Sequence, residues 1–214
     1  MSTFQLNSKD FASQTSSAEP VLASTVTGGE SIGAVKVLYS NTLSSAVATV
    51  DINGYFDDTI YSHYKLALCG LQCDGDGRPK FRAMTAGSAD TSAVYWTSCM
   101  NILSNAGTPS IEHLASDDGA TSSHLNGSYH VPRDSTTASY DGEITFSTPQ
   151  ASDKATQFYW RGSQGSSGTT ATFYMVFVGA TIFKENTALT GISIINGGSD
   201  DYSSGSFTLY GYKK

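Results

Sequence analysis

Short runs of alternating apolar and polar residues recur along the chain from about residue 33 onwards. In one run Val50 and Ile52 fall on the same face of an extended segment, and in another Tyr64, Leu66 and Leu68 do so. A two-residue period is the signature of a β-strand with one buried face. No stretch sustains the 3.6-residue period of an amphipathic helix. The pattern therefore predicts an all-β protein.

The same pattern, read between turn signals, predicts about ten strands with turn residues every 8–20 positions. Only short helical turns near residues 99–104 are compatible with it. The predicted strands occupy residues 33–40, 45–52, 64–72, 80–84, 93–98, 126–131, 142–148, 156–162, 171–183, 190–195 and 206–212. This spacing favours an antiparallel β-sandwich, or jelly roll, as one domain over residues 29–214. Residues 1–28 are Ser/Thr-rich and poor in large apolar groups, which predicts an N-terminal arm or a loosely ordered segment.

Four segments carry more specific predictions. The run 171–183 is apolar at nearly every position, which is typical of a strand buried on both faces. The stretch 73–79, "CDGDGRP", predicts a turn that joins 64–72 to 80–84 as a hairpin. Residues 104–122 are rich in Ser, Gly and Asp and are predicted to form a long loop. The alternating run 206–212 should pair inside a finished sheet, beside an early strand.

Composition narrows the classes of partner. The 214 residues include only 14% charged side chains, with a formal net charge of −7. No basic stripe is present, so nucleic acid is not an expected partner. No apolar run reaches the roughly 18 residues of a membrane span, and the polar opening "MSTFQLNSKD" is unlike a signal peptide. The odd count of three cysteines predicts free thiols, as in a protein that folds in a cytoplasm.

Residues able to carry catalysis are scattered through the sequence. The histidines show no metal-ligand spacing, and the carboxylate pairs Asp57–Asp58, Asp117–Asp118 and Asp200–Asp201 fall in predicted turns. Adjacent strand residues point to opposite faces, so such pairs form no acid–base dyad by themselves. "DGDG" at 74–77 lacks the ligand positions of a calcium loop. We therefore expect no catalytic residues, no cofactor and no metal, and hence no enzyme.

Two aromatic pairs remain as candidate contact residues. Tyr95 with Trp96 and Tyr159 with Trp160 lie on predicted strands and could form a platform for a glycan or a protein partner. Aromatic residues on strands more commonly belong to the core, which is the alternative interpretation. The sequence alone leaves both open.

Three segments, in this order, resemble a group of bacteriophage virion structural proteins with jelly-roll domains, which includes capsid decoration and tail-fibre-like proteins. Residues 55–95 are similar to that group in an aromatic strand, a glycine turn, a strand with an arginine and a Gly-Ser loop. The residues at those positions are Tyr64, Gly75 or Gly77, Arg82 and Gly87.

The other two segments are 141–162 and 189–214. The first has a strand that ends in a hydroxyl-Pro pair, then a lysine and a second aromatic strand. The second has "TGI", a Ser/Gly/Asn loop and "LYG". Together the three segments cover a little over half of the chain, and the first 45 residues depart from the pattern.

The resemblance implies a virion protein that assembles in the host cytoplasm. The favoured expectation is a capsid decoration, or cement, protein that binds the major capsid protein as a homotrimer. The alternative is a tail-fibre or spike protein that binds a host-surface glycan. A glycan hydrolase on a β-sandwich is a third option, and it would need two carboxylates facing each other across a cleft.

Overall fold

The computed structural model describes residues 35–75, 77–105, 108–125, 139–165, 173–197 and 200–214. Within those ranges the chain forms thirteen strands and no helix. The strands are β1 (Val35–Thr42), β2 (Thr49–Asn53), β3 (Tyr61–Cys73), β4 (Pro79–Thr85), β5 (Ser88–Ala89), β6 (Tyr95–Asn105), β7 (Thr108–Ala120), β8 (Ser123–His124), β9 (Tyr140–Ser147), β10 (Thr156–Gly165), β11 (Phe173–Phe183), β12 (Leu189–Asn196) and β13 (Tyr202–Lys213). The all-β prediction is confirmed.

The strands form two antiparallel sheets that pack as a jelly-roll-like sandwich. The larger sheet has eight strands in the order β1-β13-β3-β9-β10-β11-β6-β7. The smaller has the order β2-β12-β4-β5, and β8 also pairs with β4. The predicted architecture is therefore confirmed. Ten of the eleven predicted strand ranges lie wholly or mostly in described residues and correspond to strands, and the other three strands are the two-residue β5 and β8 and the unpredicted β7.

A layer of aromatic rings joins the two sheets. Phe81 on β4 meets Phe158 on β10 at a centroid distance of 5.0 Å, and Phe158 meets Phe146 on β9 at 5.2 Å. Phe146 also stacks on Tyr64 of β3 at 5.5 Å. All four rings are buried. Each such side chain contributes roughly 1.5–3 kcal/mol by burial, so this layer is a main source of stability.

The predicted hairpin between residues 64–72 and 80–84 is wrong. β3 lies in the eight-stranded sheet, where β13 and β9 already occupy both of its edges, and β4 lies in the other sheet. The stretch 74–78 therefore carries the chain across the sandwich. Gly77 lies against the Cys73 side chain and the Asn196 amide, where a Cβ would overlap them. The glycine serves this close approach instead of a hairpin turn.

The predicted loop at 104–122 and the helical turns at 99–104 are also wrong. Both segments are extended: β6 runs to Asn105, and β7 returns antiparallel beside it. β7 is the outermost strand of its sheet. Edge strands tolerate the polar, Pro and charged residues that a central strand avoids, and the Ser, Gly and Asp content of this segment made it look like a loop.

The last predicted strand is confirmed. β13 lies between β1 and β3, with Val35 opposite Tyr212 and Leu66 opposite Leu209. Phe207 and Leu209 point into the core. The predicted strand at 126–131 and the arm at 1–28 lie outside the described residues.

Candidate binding surface on the eight-stranded sheet

The two aromatic pairs are split by the pleat of the sheet. Tyr95 and Trp160 point into the sandwich and are buried, whereas Trp96 and Tyr159 point outwards and are 42% and 56% exposed. Successive strand residues alternate between faces, so each pair contributes one ring to the core and one to the surface. The structure therefore does not assemble the four side chains into one platform.

The two inward rings have structural partners. The Tyr95 hydroxyl accepts a hydrogen bond from the Ala83 backbone N–H at 2.9 Å and donates one to the Asp90 carbonyl at 3.0 Å. Burial raises the pKa of this phenol well above its usual range. The Trp160 indole N–H donates to the Thr181 hydroxyl at 3.4 Å. These contacts hold the sandwich together and leave neither ring available to a partner.

The two outward rings lie in different surroundings. The Lys184 ammonium sits over the Trp96 ring, 3.3 Å from its centroid, so one face of that indole is already covered by a cation–π contact. Tyr159 donates a hydrogen bond from its hydroxyl to Gln157 at 2.9 Å. Their neighbours on β11 also differ: Trp96 of β6 lies opposite Ile182, whereas Tyr159 of β10 lies opposite Ala180.

β11 was predicted to be buried on both faces, and that prediction is wrong. Phe177 and Met175 are buried, but Tyr174, Val176 and Val178 on the opposite face are 62%, 52% and 47% exposed. The smaller sheet covers only one face of the larger one, so a strand whose sequence is apolar on both sides leaves its outer side uncovered.

The neighbouring strands extend this exposed surface. Large apolar side chains cover the outer face of β6, β7 and β11, each between 39% and 72% exposed. We call this set the apolar half of the outer face: Trp96, Met100, Ile102, Ile111, Tyr174, Val176, Val178 and Ile182. Val176, Ile102 and Ile111 are direct cross-strand neighbours, as are Val178 and Met100. Contiguous apolar surface of this extent marks an interaction site in soluble proteins.

The rest of the outer face is polar. Glu143 on β9 forms one ion pair with Arg161 of β10 at 2.7 Å and another with Lys65 of β3 at 3.6 Å. Arg161 in turn lies directly opposite Val178, so the charged ladder stops where the apolar half begins. Beyond it, Thr208 on β13 and Ser40 on β1 continue the polar side. We call the outer surface of β1, β13, β3 and β9 the polar half.

A pocket of about 280 Å³ lies at the border, beside Tyr159. Its lining is mixed, with one half-exposed ring, an imidazole, an ammonium, an amide and hydroxyls: Tyr159, His63, Lys154, Gln157, Ser147 and Thr148. His63 Nδ1 lies 3.1 Å from the Ser147 hydroxyl. Thr148 has a φ of 44°, a conformation that is strained for a β-branched residue. Such strain is frequently retained at sites that bind a ligand.

The carboxylates of the pair Asp57–Asp58 have structural partners. The hydrogen bond from the Thr59 hydroxyl lowers the pKa of Asp57, and Asp58 accepts the Gln150 N–H at 2.8 Å. Asp74 accepts the backbone N–H of Asp201 at 2.9 Å. Asp117 and Asp118 lie within β7, which corrects their predicted turn. In the described part of the chain, no three His, Cys, Asp or Glu side chains are placed to hold a metal ion.

Sequence reasoning missed most of the apolar half. The signal was present in the two-faced apolar run of β11, but we interpreted it as double burial inside the fold.

No protein-family model, curated protein or solved structure matches the chain. All three cysteines are free thiols. Over the described ranges, no helix is long and apolar enough to cross a membrane.

Proposed function

We propose that this chain is a structural protein of a bacteriophage particle, a capsid decoration protein that binds other virion proteins, the major capsid protein foremost, and stabilises the head shell. It acts by assembly and not by catalysis. The observation that carries the assembly role is the apolar half of the outer face, which is far more apolar than the surface of a protein that works alone. The resemblance of residues 55–95, 141–162 and 189–214 to virion proteins supplies the kind of particle.

The chemistry of the apolar half supports a protein partner. Valine, isoleucine and methionine side chains gain free energy by leaving water, and they offer no hydrogen bonds to a sugar or a phosphate. Protein interfaces have cores depleted in charge and enriched in aromatic residues and methionine. Trp96, Met100 and Tyr174 fit that composition.

Location on the particle tests this proposal. We would purify phage particles that carry an epitope-tagged copy of the chain, label them with a gold-conjugated antibody and image them. Label distributed over the head is the expected result. Label confined to the tail would overturn the decoration role and favour the second function below. Unlabelled particles, from cells in which the tagged chain is shown to be made, would overturn the virion assignment.

A second function, glycan binding by a tail-fibre or spike protein, is favoured by the pocket beside Tyr159. Sugars are bound by one aromatic ring that stacks on the apolar face and by polar groups that bond the hydroxyls. Tyr159, Gln157 and Ser147 supply that combination. Of the four aromatic candidates, only Tyr159 lines this pocket.

A glycan array followed by titration of any hit tests the second function. The variant is Tyr159→Ala, and Tyr55→Ala is its control, because Tyr55 is also an exposed tyrosine but belongs neither to the pocket lining nor to the apolar half. We expect Tyr159→Ala to weaken binding at least tenfold and Tyr55→Ala to leave it unchanged. An array without hits, or equal losses in both variants, contradicts a glycan site here.

A further inference from the structure

We infer that the apolar half is the contact between two copies of this chain, which pack outer face against outer face as a two-fold dimer. This inference deepens the proposed assembly role, on which it rests, by naming a second copy as the partner of the apolar half, so that the dimer would meet other virion proteins through its remaining surface. The dimer would bury β11 on its second side, and the two-faced apolar sequence of that strand then has a physical reason.

The area of the apolar half matches what a stable dimer needs. Its eight side chains, from 39% to 72% exposed, present on the order of 800 Å² of surface. Stable protein interfaces bury about 800 Å² per partner. A surface of this size is therefore sufficient without a contribution from any other part of the molecule.

The composition of the apolar half favours a permanent partner of the same kind. Its members are Val, Ile, Met, Trp and Tyr, and at its rim Lys184 covers one face of Trp96 while Arg161 lies opposite Val178. Interfaces between identical subunits are more apolar than transient ones and resemble a protein core cut in half. The chain carries a net charge of −7, so two copies repel each other at long range, and contact through uncharged side chains adds no close pair of like charges to this repulsion.

One alternative route to a pair of copies, edge-to-edge pairing through β7, is disfavoured. β7 is an edge strand that includes Pro109, which has no N–H to donate to a partner strand. Contact between the faces avoids this, because sheets that pack face to face lie about 10 Å apart and form no hydrogen bonds with each other.

A two-fold arrangement follows from the use of one surface by both partners. A surface that binds its own copy is self-complementary, and the symmetry that relates the two copies is a two-fold axis. The sequence led us to expect a trimer. In a three-fold ring each copy would present two different surfaces, and the apolar half is one continuous surface.

Sedimentation velocity with the full-length protein, over a hundredfold range of concentration, tests the inference. The expected species has twice the monomer mass of 22.6 kDa. The test variant is Val178→Asp, which replaces an apolar side chain of the apolar half, directly opposite Met100, by a carboxylate. The matched control is Thr208→Asp, since Thr208 is also β-branched and lies on the outer face of the same sheet, in the polar half. We expect Val178→Asp to raise the dimer dissociation constant by at least roughly 100-fold and Thr208→Asp to change it less than about threefold.

Two further measurements exclude trivial results. Far-UV circular dichroism and melting curves show whether both variants fold, which the half-exposed position of Val178 favours. Raising NaCl from 0.1 to 1 M should leave the dimer as tight or make it tighter, because salt screens the net repulsion and does not weaken apolar contacts. A dimer that dissociates in high salt would be held by ion pairs, and the inference would be wrong.

The remaining outcomes also decide. A monomeric wild-type protein, a trimer, or a dimer that persists in a folded Val178→Asp variant would each overturn the inference. So would a monomeric protein that binds zwitterionic vesicles through Val178, because the occupant would then be a lipid surface. A dimer whose tagged copies label no phage particle would leave the inference standing and remove the proposed function. Labelled heads together with a monomeric protein in solution would overturn the inference and support the proposed function.

Discussion

Tyr95–Trp96 and Tyr159–Trp160 are the same dipeptide on two strands of the same sheet. The first buries its tyrosine and exposes its tryptophan, whereas the second exposes its tyrosine and buries its tryptophan. The inner ring lies in the interior of the sandwich, whereas the outer ring is partly exposed to solvent. Residue type alone therefore does not distinguish a stabilising aromatic from a recognition aromatic. Position in the two-residue period distinguishes them, once it is known which face the fold covers.

The sharpest way to break this comparison is to truncate one ring on each face. Trp160→Ala should lower the free energy of unfolding by about 3–5 kcal/mol, because it leaves a cavity and removes one of the hydrogen bonds to Thr181. Trp96→Ala should cost less than about 1 kcal/mol, measured on the monomer, since that ring is 42% exposed. Urea unfolding curves of both variants give the two values. Similar losses would mean that the two faces are not different in kind.

Alkaline pH sharpens the contrast through the inner tyrosines. Burial raises the pKa of Tyr140 and Tyr202 well above the value of about 10 in an unfolded chain. The folded state therefore keeps protons that the unfolded state releases. The contribution of these phenols to the free energy of unfolding is fully present below pH 10. Above pH 10 it is lost at about 1.4 kcal/mol per pH unit for each such tyrosine.

Urea unfolding curves between pH 8 and 11.5 measure this loss. The expected curve is flat below about pH 9.5 and falls above pH 10. In Tyr140→Phe the free energy of unfolding should fall less steeply, by about 1.4 kcal/mol per pH unit, because one tyrosine fewer releases a proton on unfolding. An unchanged slope in that variant would show that Tyr140 is not the group responsible.

Gly179 tests how closely the inner face is packed. A Cβ at this position would overlap the Trp160 ring, within 2.6 Å of its Cε2 atom. Gly179→Ala should therefore cost about 1–3 kcal/mol of stability, despite the better strand propensity of alanine. On the outer face the adjacent Ala180→Gly change should cost less than about 1 kcal/mol, through backbone entropy alone. Thermal melts of the pair measure the difference, and a neutral Gly179→Ala would contradict the tight fit.

The smallest effect is expected for the ion pairs of the polar half. Glu143 contacts Arg161 and Lys65, but the Arg161 side chain is 73% exposed. Glu143→Gln should therefore change stability by less than about 1 kcal/mol, and 1 M salt should abolish even that difference. Urea curves at low and high salt provide the test. A loss above 2 kcal/mol would show that the ladder is a structural element instead of a solvated boundary.

A strand of this fold could be predicted where its own residues determine its conformation, and could not be predicted where its pairing with distant strands does. Strands with one buried face, such as β2 with Val50 and Ile52, could be predicted because their alternation is local information. β7 could not be predicted, since its extended conformation is imposed by pairing with β6 and not by its own residues. The supposed hairpin failed for the same reason, because nothing within 64–84 reveals that β13 and β9 already flank β3.

The candidate surface was half visible in the sequence. Trp96 and Tyr159 were identified as candidate contact residues, and they lie on the outer face. Tyr95 and Trp160 were identified with them because the register of burial is a property of the tertiary structure. The exposure of Val176 and Val178 could not be foreseen, since a two-faced apolar run is equally typical of a strand covered within its own chain.

The position of β13 has a consequence for biosynthesis. This strand separates β1 from β3, although Val35 and Tyr212 are paired across nearly the whole described chain. While the ribosome is still translating, β3 has one unpaired edge until residues 202–213 emerge. Folding that waits for contacts so distant in sequence is slow, and open edges recruit other nascent chains. Yield in the cell should therefore depend on how quickly residues 202–213 are synthesised after β3.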